Sequence, residues 1–179
     1  EGNAPLPFEK KAGKNREDLR KKRDQLREEA VKAAPFYDQV IVIGGLNHQY
    51  DCEGADRKDM KLPYEQDQLI CQLLKVRPDT VVGAVISLNF GALLGGSTVE
   101  MGEWIHNADS LVWCWYGGME GGTALAEVLY GLVNPSGRLP ESFYKRLEDC
   151  SAHAIGEFAK EDQVDYREGI YVGYRYLDA

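Results

Sequence analysis

The chain lacks most of what would place it among metal, redox, membrane or nucleic-acid proteins. Its four cysteines, Cys52, Cys71, Cys114 and Cys150, form no C-x-x-C pair, which removes the usual signatures of a structural zinc site and of a redox dithiol. Histidine is scarce, with three in 179 residues, and the loop residue His48 has no ligand set around it in sequence, so neither a metal nor a cofactor is expected. No apolar run approaches the roughly 18 residues that span a bilayer, and no charged-then-apolar leader opens the chain. A cationic surplus is also missing. Lys and Arg number 21 against 29 Asp and Glu, a net charge of −8, and a phosphate backbone would be repelled rather than neutralised by such a chain. Neither a membrane nor a nucleic acid is therefore an expected partner. Cys71 and Cys114 lie in apolar periodic segments and read as small hydrophobes. Disulfides are allowed but not required, which favours a reducing compartment, the cytoplasm ahead of secretion. The first residue is Glu1 rather than Met, and the sequence reads as a cut piece.

What is present is an ordinary soluble composition, 44% apolar and 28% charged, long enough to bury a core. Residues 1–14 hold Gly, Pro and Lys without apolar period and read as a linker or the tail of a preceding region; residues 15–179 read as one domain. From Asn15, a cap and early acids open a helix whose stripe is Leu19, Arg23, Leu26, Ala30 and Ala34, ending before Pro35. Its basic run reads as a solvated face. Residues 39–45 are a continuous β-branched run ending in glycines, the pattern of a strand buried on both faces of a parallel sheet. Residues 64–76 form an amphipathic helix through Leu69, Ile70, Leu73 and Leu74, and Thr80, Val81 and Val82 begin a second strand. Strand, helix and strand in so few residues make a parallel crossover.

Residues 83–96 are apolar and broken by glycine, fitting a long strand with a hairpin. Residues 110–116 are a third strand, and residues 123–132 a helix turning Leu125, Ala126, Val128 and Leu129 inward. The glycines from Gly117 to Gly122 permit a tight strand-to-helix junction. Asn134-Pro135-Ser136-Gly137 is a turn, and the alternation across residues 170–177 reads as a last strand. The whole predicts an α/β fold: a layered sandwich with a mostly parallel, about six-stranded sheet flanked by helices.

The chemistry is expected in residues 45–57, an acidic, aromatic, glycine-broken stretch after the first strand, because strand ends of α/β sheets present polar groups from a rigid support. Taken alone, Glu53 in such a loop is most simply a solvent-facing glutamate. Asp56 and Arg57 suit either ligand contacts or a loop-stabilising ion pair, and Tyr50 either ligand stacking or packing. Trp113 and Trp115 share a strand face and fit packing better than ligand stacking. Glu120, at a helix start, is accounted for by the helix dipole.

Five landmarks in order carry a resemblance. They are Val40-Ile41-Val42-Ile43-Gly44-Gly45-Leu46-Asn47; Cys52-Glu53-Gly54-Ala55-Asp56-Arg57 with Met60-Lys61-Leu62-Pro63; Trp115-Tyr116-Gly117-Gly118-Met119-Glu120-Gly121-Gly122; Asn134-Pro135-Ser136-Gly137-Arg138-Leu139-Pro140; and the run from Tyr166 to Tyr176. Together they resemble the second, C-terminal domain of glycoside hydrolase family 3 β-glucosidases. Such enzymes hydrolyse β-glycosides with retention. A first (β/α)8 barrel domain carries an aspartate nucleophile, and an α/β sandwich often supplies the acid/base. The resemblance implies that Glu53 is the general acid/base, with Asp51 as the fallback, and that Tyr50, Asp56 and Arg57 contact substrate. It implies no metal and no cofactor. The implied partners are a β-glucoside or related oligosaccharide and a barrel domain that this chain does not contain, so the chain alone is expected to be inactive. The competing class is a non-catalytic α/β carbohydrate-binding or interaction module. One departure from the family pattern is the long apolar segment of residues 83–95.

Overall fold

The computed structural model describes residues 16–47, 50, 57–77, 81–85, 99–108, 110–156 and 162–179. Helix α1 (Arg16–Ala33) has acids in its first turn and Lys32 in its last, the arrangement the helix dipole favours. Its polar face carries exposed i,i+4 pairs, Glu17–Lys21 at 2.9 Å and Glu28–Lys32 at 3.5 Å. A 3-10 turn (Ala34–Phe36) follows, with Pro35 ending the helix.

Strands β1 (Ile41–Gly44), β2 (Val81–Val85) and β3 (Ser110–Val112) form a parallel sheet in the order β1-β2-β3. Registers run Ile41↔Val81 and Val42↔Val82, then Val82↔Leu111 and Gly83↔Val112. Helix α2 (Gln66–Val76) is the crossover between β1 and β2. Its Ile70, Leu73 and Leu74 are buried with Ala34, Val42, Leu46, Leu62, Val99 and Trp104 in one core. At about 1.5–3 kcal/mol per fully buried large apolar side chain, this cluster is the principal stabilising contact of the unit. Arg77, just past α2, donates to the carbonyls of Ala34, Tyr37 and Asp38. The end of α2 is thereby tied to the segment that leads into β1.

Three expectations are corrected. β1 is not buried on both faces: Val42 is 9% exposed, but Ile41 is 45% and Ile43 61% exposed. A continuous β-branched run identifies a strand without specifying that both of its faces are covered. Residues 170–177 are not a strand. Gly169 (φ +58°) and Gly173 (φ +60°) turn the chain out of the extended region, and α5 (Tyr174–Leu177) follows. This tail is held instead by Ser151, which is 2% exposed in α4 (Ser151–Ala154) and donates to the Glu168 carboxylate. In helix α3 (Gly121–Leu129), Leu125 is buried and Val128 and Leu129 half-buried, but Ala126 is exposed. Of the apolar segment after Val82, Gly83, Ala84 and Val85 complete β2, and the remainder lies outside the described residues up to Val99. Among the described residues the sheet has three strands.

Candidate functional site

The site is built at the C-terminal end of β1. The ladder to β2 slips between Ile43 and Gly44, and Gly45 takes φ +149°, a conformation open to glycine. Where the ladder becomes irregular, a side chain supplies the hydrogen bonds. The carboxamide of Gln66, the first residue of α2, accepts from the Gly45 N–H at 2.8 Å and donates to the Gly45 carbonyl at 2.8 Å. It also donates to the Pro63 carbonyl at 3.0 Å, which fixes its own orientation. A Cβ on Gly44 would collide with the Gln66 carboxamide oxygen.

The turn before α2 is strained. Tyr64 (φ +60°) and Glu65 (φ +59°) are consecutive left-handed residues, neither of them glycine, and such backbone persists only where surrounding contacts over-determine it. Here α1 provides them. Glu65 Oε2 accepts from Arg23 at 2.8 Å and from Arg27 at 3.0 Å. Both guanidiniums also reach Asp24, at 2.8 and 3.1 Å, and the Arg23 hydrogen bond holds the Asp24 carboxyl below the usual carboxylate range. Part of the basic run of α1 is therefore a brace rather than a solvated face. The turn presents Tyr64 to the departing segment. Its Oη accepts from Asn47 Nδ2 at 2.9 Å, and its ring meets Tyr50 edge-on, centroids 5.2 Å apart.

The returning segment is anchored by the next residue of α2. Asp67 Oδ2 accepts from the Leu62 N–H at 3.2 Å, and its Oδ1 accepts from Trp104 Nε1 at 2.6 Å. Burial pushes the Asp67 carboxyl up, against the lowering effect of both hydrogen bonds. Glu100 donates its N–H to the Met60 carbonyl at 2.8 Å, closing residues 60–62 against the stretch that contains buried Trp104. Gln66 and Asp67 thus hold the two ends of residues 46–61.

Of the sequence-predicted residues, Tyr50 packs against Tyr64 and the core, and Arg57 lies half-buried near the returning end. Glu53, Asp51 and Asp56, like His48, lie outside the described residues. Trp113 meets Trp115 and Phe143 edge-on, with centroids 5.9 and 4.6 Å away, which is ring packing. However, β3 ends at Val112 and Trp115 has φ +49°, so residues 113–116 are not the expected strand and the two tryptophans do not share a strand face. Glu120 is exposed before α3 and accepts from the Thr123 hydroxyl at 3.3 Å. Gly117 permits this junction, since a Cβ there would lie 2.7 Å from the Gly121 Cα. Cys71, Cys114 and Cys150 are free thiols, and burial raises the first two. Among the described residues no group of three His, Cys, Asp or Glu is placed to hold a metal ion, and no helix is long and apolar enough to cross a membrane.

Sequence reasoning missed Tyr64, Gln66, Asp67 and Trp104. The available signal was slight: Pro63 just ahead of the helix and an acid in its first turn mark a helix start, not a grip on residues far off in sequence.

Compared with known proteins, residues 7–174 match the glycosyl hydrolase family 3 C-terminal domain. The chain belongs to this family. It is 45% identical over 160 residues to beta-glucosidase BoGH3A of Bacteroides ovatus, a match covering 87% of this chain and 20% of that protein. Thermostable beta-glucosidase B of Acetivibrio thermocellus is 40% identical over 155 residues, covering 87% and 19%. Among solved structures, the family 3 chain is similar to a beta-glucosidase from Kluyveromyces marxianus in complex with glucose. The TM-score is 0.75 at 39% identity, covering 86% of this chain and 17% of that one. It spans about a fifth of the length of the curated relatives it matches.

Proposed function

We propose that this chain is the acid/base-supplying domain of a retaining β-glucosidase, with Glu53 as proton donor to the departing glycosidic oxygen. The reading rests on the Glu53-bearing segment of a family 3 C-terminal domain springing from the end of a parallel strand and being gripped at both its ends by one helix turn. That support suits a group whose position matters. Retaining hydrolysis needs two carboxyl groups about 5–5.5 Å apart, one attacking the anomeric carbon and one protonating the leaving oxygen and then activating water.

In this proposal the nucleophile belongs to a (β/α)8 barrel domain and Glu53 reaches towards it. A proton donor must hold its proton near neutrality, which the charge of a neighbouring carboxylate and partial burial are able to arrange. Asp51 is the fallback acid, and Tyr50, Asp56 and Arg57 line the sugar. Residues 1–14 form a linker, residues 15–179 the domain, and the three described strands belong to a six-stranded sheet. The substrate is a terminal β-D-glucoside or a related oligosaccharide, consistent with the names of the relatives and the glucose-bound neighbour.

The test grafts this chain in place of the matching 160 residues of the Bacteroides ovatus enzyme. The chimera should hydrolyse aryl β-glucosides. Glu53→Ala should cut turnover by about 100-fold or more for poor leaving groups, the scale of general acid catalysis, and far less for activated ones, with azide partly restoring the rate. Wild-type behaviour of Glu53→Ala on every substrate would reject the assignment. A folded chimera that binds glucosides without hydrolysing them would favour a binding module.

A further inference from the structure

We infer that Gln66 is a positioning residue of the hydrolytic reaction, setting where the Glu53-bearing segment leaves the sheet; the inference rests on the proposed role of Glu53. Backbone groups at the end of a strand need partners, and β1 reaches an irregularity in its ladder at Gly44. The Gln66 carboxamide answers with one acceptor and one donor on the same residue, Gly45, both at 2.8 Å. It occupies the place of a neighbouring strand for a single residue. A primary amide suits the task because it carries both functions on one rigid plane. A carboxylate of the same length would set negative oxygens against the carbonyls of Gly45 and Pro63.

The grip is rigid at its other end. Gln66 begins α2, and one turn further on Ile70, Leu73 and Leu74 are buried in the core. Its own amide is held by the Pro63 carbonyl at 3.0 Å, and the following Asp67 secures Leu62 on the returning side at 3.2 Å. A reacting group displaced by about 1 Å loses on the order of 100-fold in rate, so the segment's departure point bears on proton donation. Loss of the grip should then affect the reaction in the manner of a weakened acid, according to how much each leaving group needs the proton.

The experiment uses the same Bacteroides ovatus chimera, as wild type and with Gln66→Met, Gln66→Glu or Glu53→Ala. Thermal midpoints are recorded, and kcat and KM are measured below them on methyl β-glucoside and 2,4-dinitrophenyl β-glucoside. Both Gln66 variants should lose about 10- to 100-fold in kcat/KM on the methyl glucoside, a partial loss of the roughly 100- to 10,000-fold that general acid catalysis contributes, and less than about 3-fold on the dinitrophenyl glucoside, where protonation matters little. Equal losses on the two substrates, an unchanged leaving-group dependence, or loss of folding in both variants would make Gln66 structural and overturn the inference. The Glu53→Ala arm separates the two claims. If it shows the leaving-group effect and the Gln66 variants do not, the positioning role fails alone; if Glu53→Ala shows none, the proton-donor reading fails first and the positioning role with it.

Discussion

The indole nitrogen of Trp104 donates to Asp67 at 2.6 Å across 37 residues of sequence. Trp104 is 1% exposed, so this bond joins the stretch after Val99 to the first turn of α2 inside the core. Trp104→Phe keeps an aromatic ring but leaves a void and strips Asp67 of its strongest donor. Urea unfolding should show a loss of about 2–4 kcal/mol, and a loss under about 0.5 kcal/mol, the scale of a neutral surface change, would contradict the contact.

Asp67 also sets a pH dependence. Burial raises its carboxyl above the ordinary value of 3.8, so the folded state holds the proton more tightly than the unfolded chain. The associated stabilisation is complete below the unfolded value and fades as pH rises through the raised folded one. Thermal midpoints of wild type and Asp67→Asn across the acidic range should therefore diverge, with the wild type gaining relative to the variant towards low pH. A difference independent of pH, or one of opposite slope, would contradict the burial of this group.

The left-handed pair Tyr64 and Glu65 yields a comparison of two substitutions. Glu65→Ala removes the acceptor shared by Arg23 and Arg27 and keeps a left-handed non-glycine backbone at φ +59°. Glu65→Gly removes the same acceptor but relieves a strain of about 1 kcal/mol. The glycine variant should be the more stable of the two in denaturant titration. The reverse order would mean that the turn is not strained.

Two glycines of the α3 junction should respond oppositely to alanine. A Cβ at Gly117 would lie 2.7 Å from the Gly121 Cα, whereas nothing lies within 4 Å of one at Gly122. Gly117→Ala should destabilise by about 1–3 kcal/mol, the usual range for forced overpacking. Gly122→Ala should stabilise by about 0.5–1 kcal/mol through helix propensity. Thermal shifts of the same sign would contradict the described junction.

Much of the fold was legible because it is local. The spacing of Leu69, Ile70, Leu73 and Leu74 predicted α2, the β-branched run predicted β1, and their succession predicted a parallel crossover, which is present with β2 beside β1. The alternation from Ile170 to Leu177 misled, because period two records which side chains would share a face if the chain were extended. Gly169 and Gly173 turn it instead. At the site, Tyr50 and Arg57 were legible as members of a polar strand-end segment. Gln66 was not, since a glutamine at a helix start has no signature of reaching 21 residues back.

The sequence by itself determined the family and the strands and helix of the β1-α2-β2 unit, because motifs and periodicities are properties of neighbouring residues. Only the tertiary structure decided which face of β1 is covered, that the tail turns back to Ser151 rather than extending as a strand, and that Gln66 and Asp67 grip the two ends of the Glu53-bearing segment. The covered face of β1 and the grip of Gln66 and Asp67 depend on how α2 docks against the sheet, set by the joint burial of Val42, Leu62, Ile70, Leu73 and Trp104. The tail depends on the Ser151–Glu168 bond across 17 residues; no local pattern brings these residues together.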